Sequence, residues 1–204
     1  MTTEPLLALC REGDRAAWLR LYRGHAPMVA LFLQRLLGPE RDIEDLVQQV
    51  FVHFYTTLGR YRGEGSLPTW LFGIATQVAM QHRRFEFRWR RRAAAYAEWL
   101  SSQPISGPDP AAASEARAVL ACVAEVVSRL DLRQRAVWVM RELEGLDTAQ
   151  TAQALGVPEG TVRFRLCMAR RAIDRALAGL EGASIAATEA LPVSVVRRLG
   201  GPRR

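Results

Sequence analysis

Leu146–Leu177, LDTAQTAQALGVPEGTVRFRLCMARRAIDRAL, is the stretch on which the fold turns. Asp147 or Thr148 is placed to cap a short first helix, and Ala149, Ala152 and Leu155 give that helix a small-residue packing face. Gly156 suits a turn. Pro158 suits the start of a second helix, because its φ is already helical and its missing N–H costs nothing there. A small-residue helix, a glycine turn and a longer basic helix together predict a helix-turn-helix. At about 100° per residue, the second helix gathers Val162, Leu166, Ala169, Ile173 and Leu177 toward a core. Phe164, Met168, Arg171 and Arg175 fall nearly opposite with Cys167 beside them, and Arg163, Arg165 and Arg170 lie on the flanks. In a major groove, Phe touches a thymine methyl and arginine bonds guanine at two points. The plainer alternative is that the outward apolar residues cover a partner helix.

Upstream, Tyr61–Arg92 reads YRGEGSLPTWLFGIATQVAMQHRRFEFRWRRR. Gly63-Glu64-Gly65-Ser66 is a loop, and Pro68 opens a helix through Trp70, Leu71, Ile74, Ala75 and Val78. That helix runs into Arg83, Arg84, Arg88, Arg90, Arg91 and Arg92, interleaved with Phe85, Phe87 and Trp89. Guanidinium groups pair with phosphate while aromatic rings stack on unpaired bases, so a single strand of nucleic acid satisfies both. A solvated basic helix end whose rings fold back on the core is the alternative.

The remainder is also helical in pattern, without strand alternation or internal repeats. Glu4–Glu12 and Asp14–Arg23 read as two short helices broken at Gly13, and a further helix spans about Pro27 to Leu37 and stops at Gly38-Pro39. Asp42–Leu58 carries Ile43, Leu46, Val47, Val50, Phe51, Phe54 and Leu58 on one stripe. Asp42, Glu44 and Asp45 crowd its first turn, where the helix dipole favours anions, and Gln48, Gln49 and His53 lie on or near the other face. Further helices are expected over Arg117–Leu130 and Arg133–Leu143.

The 204 residues carry a net charge of +7, and every one of the 28 basic residues is arginine. Residues 1–93 are at +5, 94–115 at −3, 116–178 at +3 and 179–204 at +2. Such a balance suits a polyanionic partner. Ser, Pro, Gly and Ala dominate 94–115, which reads as a linker averaging about 25 Å end to end and reaching about 70 Å at full stretch. Cys10, Cys122 and Cys167 form no CxxC pair, and His25, His53 and His82 are far apart, so neither a metal site nor a disulfide framework is indicated. No apolar run is long enough to cross a bilayer and the start lacks a secretion signal, which predicts a cytoplasmic protein without membrane insertion. No nucleophile elbow or phosphate loop is present; catalytic residues and cofactors are expected to be none.

DIEDLVQQVFVHFY (Asp42–Tyr55), YRGEGSLPTWLFGIA (Tyr61–Ala75) and LGVPEGTVRFRLCMARRAI (Leu155–Ile173), in this order and spacing, resemble the extracytoplasmic-function sigma factors, the minimal members of the bacterial sigma-70 family. The likeness covers roughly Leu6 to Leu177. It implies an all-α chain of two small helical domains: a region 2 domain at 1–93, a linker at 94–115, a region 4 helix-turn-helix domain at 116–179, and a tail at 180–204 of unassigned role. Asp42, Glu44, Asp45, Gln48 and Gln49 would bind core RNA polymerase. Tyr61, Trp70, Gln77, Gln81, His82, Arg83, Arg84, Phe85, Phe87, Arg88, Trp89, Arg90, Arg91 and Arg92 would open the promoter and hold its melted minus-ten element. Thr161, Arg163, Phe164, Arg165, Cys167, Met168 and Arg171 would read the minus-thirty-five element as duplex. Members of the family commonly pair with an anti-sigma factor. The sequence departs from the usual pattern at Phe164, where many relatives have serine, at Met168, where arginine is frequent, and at Gln77, where asparagine is frequent. A free-standing helix-turn-helix regulator and a sigma-like partner-switch protein are the alternatives.

Overall fold

The computed structural model describes residues 3–38, 42–61, 63, 65–82 and 122–178, all of them in helices or the turns between helices. The linker, the tail, residues 117–121 of an expected helix and the basic-aromatic run 83–92 lie outside the described residues.

The first body is built by α1 (Thr3–Arg11), α2 (Arg15–Leu37), α3 (Ile43–Thr57) and α4 (Leu67–Gln81). Gly13 turns the chain at φ +85°, and Asp14 caps α2 by accepting from the Ala16 and Ala17 amides. The expected break between Arg23 and Pro27 is absent, because α2 runs unbroken through Gly24 and Pro27. Pro27 removes a donor and costs about 3 kcal/mol in a helix interior. Burial offsets that cost: Ala17, Leu21, Val29, Phe32, Leu33 and Leu36 sit on both sides of the proline and are all fully buried. Each large side chain of this set contributes about 1.5–3 kcal/mol.

α3 and α4 pack against α2 and against each other. The stripe expected on α3 is the buried one, from Ile43 through Phe54. Ser66 caps α4 by accepting from the Thr69 amide, with Pro68 in the first turn. Aromatic rings fill the centre: Phe32 stacks on Phe72 at 4.5 Å, and Phe54 meets the edges of Trp18 and Trp70.

The second body holds a helix over 122–129 (α5), α6 (Leu132–Trp138) and the helix pair α7 (Thr148–Leu155) and α8 (Glu159–Leu177). The single helix expected over Arg133–Leu143 is α6 followed by a wider π-helical turn at Val139–Leu143, which buries Val139 and Met140. Asp147, rather than Thr148, caps α7 in a reciprocal capping box with Gln150. Gly156 makes the turn at φ +61°. Val162, Leu166, Ala169 and Ile173 of α8 are buried, as the phase of the helix requires.

The two bodies touch. α7 packs on α4, and α6 packs on the end of α2. Arg135 of α6, only 4 % exposed, donates to the carbonyls of Val127, Ser128 and Leu130 at 2.8–3.0 Å and to Leu36 of α2 at 2.6 Å. Removing this guanidinium takes a donor from four carbonyl oxygens, of which Val127 keeps the Leu130 amide, and each buried group left unsatisfied costs about 1–3 kcal/mol. Arg135→Ala is expected to lower unfolding stability by about 3 kcal/mol or more in urea titration; a loss below about 1 kcal/mol would show that water replaces the side chain at little cost.

Candidate nucleic-acid interface

Three surfaces carry the residues that the sequence singles out. On α3 the buried stripe leaves Asp42, Glu44, Asp45, Gln48 and Gln49 exposed. Asp42 stands at the N-cap without a side-chain cap bond. Val52 and Tyr55, 64 % and 60 % exposed, continue the same face one and two turns on. The sequence reading passed over them, although Val52 lies off the apolar phase of α3, which is the signal that would have found it.

The second surface lies along the start and exposed edge of α4. Tyr61 and Trp70 stack at 4.7 Å with ring planes 16° apart, and the Tyr61 hydroxyl donates to the Gly65 carbonyl at 2.6 Å. Arg11 donates to the Tyr61 carbonyl, which ties this turn to α1. Gln77 is exposed and lines the same cleft as Tyr61 and Trp70. Gln81 is exposed in the last turn of α4, and His82 ends that helix half-buried, away from the cleft. The ten residues that follow, including Phe85, Phe87 and Trp89, are outside the described residues.

The third surface is the outer side of α8. Arg163, Phe164, Cys167 and Arg171 are exposed, and Phe164 reaches 64 %. Thr161, Arg165 and Met168 are half-buried, so Met168 is less outward than its phase predicts. Arg163 pairs with Glu159 one turn back at 2.9 Å. Arg170 is held from the flank by Glu142 at 2.7 Å, and Glu142 is nearly buried. Arg141 donates to the Leu146 carbonyl, while its Nε has no hydrogen-bond partner among the described residues. Arg141, Arg163, Arg170 and Arg171 line one shallow depression with Thr148, Cys167 and Asp174, a patch rich in arginine whose charge Glu142, Glu159 and Asp174 offset in part. Sequence phasing missed Arg141 because it lies in the preceding π-helical turn, outside the two paired helices.

Among the described residues no cluster of three or more His, Cys, Asp or Glu is close enough to hold a metal ion. Two models of the sigma-70 family match the chain, region 2 over residues 21–95 and region 4 over residues 120–173. The chain belongs to the extracytoplasmic-function sigma factors of the sigma-70 family. It is 29 % identical over 183 residues to the RNA polymerase sigma-H factor of Pseudomonas aeruginosa, covering 85 % of this chain and 93 % of that protein. To the ECF RNA polymerase sigma-E factor of Escherichia coli K12 it is 28 % identical, with the same coverage. Its fold superposes on CnrH, solved in complex with the cytosolic domain of CnrY, with a TM-score of 0.59, 25 % identity and 85 % of this chain covered against 96 % of that one. The sigma factor RpoE of Bartonella quintana, solved with the anti-sigma factor NepR, shares the fold at a TM-score of 0.51 and 20 % identity, over 75 % of this chain and 91 % of that one. The capped α7–α8 pair and the stripe of α3 thus belong to a sigma factor. No helix among the described residues is long and apolar enough to cross a membrane.

Thiol chemistry divides the three cysteines of this sigma factor. Burial, then the charge of Asp14, pushes the Cys10 thiol above its ordinary range, with Arg20 opposing; burial, then Glu125, does the same at Cys122. Only the thiolate alkylates. With iodoacetamide at neutral pH, exposed Cys167 is expected to react first, while Cys10 and Cys122 lag and speed up only as the pH climbs past the usual thiol range. Peptide mass mapping over time reads this directly; equal labelling of all three would contradict the burial assigned to Cys10.

Proposed function

We propose that the chain lends core RNA polymerase its promoter specificity and opens promoter DNA without covalent chemistry of its own. The observation that carries this reading is the pair of sigma-70 family matches, regions 2 and 4, in one chain with their exposed faces laid out as above. The boundaries that fit it are a region 2 domain at 1–93, a linker at 94–115 and a region 4 domain at 116–179. A cytoplasmic site of action follows, since that is where polymerase and promoter meet.

The α3 face would dock on polymerase through Asp42, Glu44, Asp45, Gln48 and Gln49, with Val52 and Tyr55 adding apolar area at its end. Charged residues around an apolar contact steer encounter and fix orientation, while the apolar part slows release. The cationic α8 face would grip the upstream promoter element as duplex. There Arg163 and Arg171 reach base edges or phosphates, and Phe164 and Met168 offer apolar contacts suited to thymine methyls. Arg141 and Arg170 would sit against phosphate, positioning rather than specifying.

Opening would fall to the end of α4 and the residues after it. Tyr61 and Trp70, already stacked, form a rigid platform at the duplex edge. Gln77, Gln81 and His82 lead into Arg83, Arg84, Arg88, Arg90, Arg91 and Arg92, which would follow the backbone of the freed strand. Phe85, Phe87 and Trp89 would stack on its bases. Each base–aromatic stack returns about 1–3 kcal/mol against a few kcal/mol for unstacking a base. A few captured bases therefore hold a short bubble only while polymerase and the upstream grip keep the factor in place, an effective-concentration effect. An anti-sigma factor that covers these faces would silence the protein; one solved structure of similar fold is a sigma factor in complex with an anti-sigma factor.

Run-off transcription with purified core polymerase and a genomic promoter library tests the proposal. Replacing Phe85, Phe87 and Trp89 together with alanine is expected to spare binding to core, abolish transcription from paired promoters and leave pre-melted templates active. Normal opening by the triple variant would overturn the role of the rings. Phe164→Ser is expected to shift the preferred upstream element, at about 1–3 kcal/mol per altered base pair, rather than weaken binding uniformly.

A further inference from the structure

One surface of the first body keeps apolar side chains in water, and one stretch of the sequence has no assigned role. Leu19 and Tyr22 of α2 are 47 % and 37 % exposed, and Val52 and Tyr55 of α3 more so. Tyr22 meets Phe51 at 4.7 Å between ring centres and Trp18 meets Tyr55 at 4.9 Å, so the two helices present these side chains as one band. Apolar residues scattered singly on a surface are ordinary, whereas a contiguous band marks an interaction site. Toward the start of α3 the band gives way to Glu44 and Asp45, exposed in the first turn. Neither carboxylate is in an ion pair with another described residue. In the second body, by contrast, Glu125, Glu142, Glu144 and Glu159 each hold an arginine. The α3 face is therefore apolar at one end and anionic at the other.

The sequence 191–204, LPVSVVRRLGGPRR, has the same two characters in the same order. Leu191, Val193, Val195 and Val196 come first, Arg197 and Arg198 follow, and the stretch holds four arginines and no acid. We propose that Leu191–Arg198 docks on the α3 face of its own chain and that polymerase must displace it. The leucine and valines cover Leu19, Tyr22, Val52 and Tyr55, and Arg197 and Arg198 stand against Glu44 and Asp45. This rests on the function proposed above, which makes α3 the polymerase-docking face. Length permits it. From Ala178, the last described residue, the chain to Leu191 reaches about 45 Å at full stretch, whereas α2, the longest helix described, is about 35 Å long. Asp45 and Tyr55 are about 15 Å apart along α3, and the extended segment Leu191–Arg198 spans about 26 Å, so one segment covers both ends. Charge sets the direction. Arg15 and Arg23 of α2 stand one turn on either side of Leu19, which repels the segment's own arginines from the apolar end and leaves them the acids of α3. A segment of the same chain meets its site at an effective concentration on the order of mM, so modest contacts suffice. A second copy of the protein, the other candidate occupant, has no such advantage in dilute solution.

The experiment carries a benzophenone on Thr56→Cys, one turn beyond Val52, in a full-length chain with Cys10, Cys122 and Cys167 replaced by alanine or serine. It is read without polymerase and without DNA. Irradiation of a dilute sample is expected to join the probe chiefly to residues 190–198, in a product of monomer mass, as peptide mass mapping will show. Arg197→Glu with Arg198→Glu is expected to cut that yield roughly threefold or more, since the opposed charges become like charges. Adding Glu44→Arg with Asp45→Arg is expected to restore most of it, which loss of folding would not do. A probe that links elsewhere, a yield that the charge reversal leaves unchanged, or a product of dimer mass, which gives the site to a second copy, overturns the proposal. Displacement is read separately, with the native cysteines and no probe. There Arg197→Glu with Arg198→Glu is expected to bind core polymerase roughly threefold or more tightly than the unchanged chain, because the competing segment is weakened. Equal binding overturns the competition. Failure of the unchanged chain and the variant alike to bind core sinks the proposed function instead, and the cross-link then decides the contact alone.

Discussion

One guanidinium holds the arrangement on which the other contacts depend. Arg135 lies inside the protein with its donors aimed at the carbonyl ends of α5 and α2. Helix C-termini leave carbonyls without intrahelical partners and carry partial negative charge, so a buried cation is stabilised there by geometry and by field together. Arginine suits the place better than lysine, since its planar fork reaches several acceptors at once. The bond to Leu36 spans 99 residues of sequence and sets α6 against the end of α2. From α6 the position of α8 follows, because those two helices share the core around Val162 and Ala169.

Much of this was legible in the residues themselves. The stripe of α3, the proline start of α4, and the Gly156 turn of the helix pair with a cap at Asp147 or Thr148 are local signals, and local physics decides them. Where distant packing decides, the sequence misleads. Gly24 and Pro27 mark a break by every local rule, yet the buried residues on either side keep α2 whole. Gly73 looks like an incidental glycine in a helix until the carbonyl of Ala154 is seen against it. Arg135 sits at a position whose helical phase points inward, and nothing nearby in sequence reveals the carbonyls that make its burial tolerable. The exposed Val52 and Tyr55 were visible in principle, since their phase on α3 departs from the stripe, but an apolar residue out of phase is easily assigned to the core.

The division of labour proposed above rests on what each surface is made of. The α3 face mixes acids and amides with two apolar side chains, which is protein-recognition chemistry. The α8 face is cationic with one large exposed ring, as duplex recognition requires, since phosphates supply affinity and base edges supply identity. Strand capture is proposed for the rings and arginines that follow α4 in the sequence, because unpaired bases offer π-faces that duplex DNA hides. No one of these energies suffices: a few stacks barely match the cost of unstacking, and a single helix in a groove has modest affinity. In the proposed function, joining them on one chain would make the second contact intramolecular, and that would be the source of overall affinity.

If the two DNA-facing surfaces act together on one promoter, their joint action must depend on the distance between the two elements. The direct measurement is permanganate footprinting of the downstream element, with core polymerase and this protein, on promoters whose spacer is lengthened or shortened one base pair at a time. Strand opening should peak at one spacing and fall steeply on either side, since each added base pair also rotates the upstream element about the helix axis. Opening that is indifferent to spacing, or that persists when the upstream element is deleted, would contradict the account.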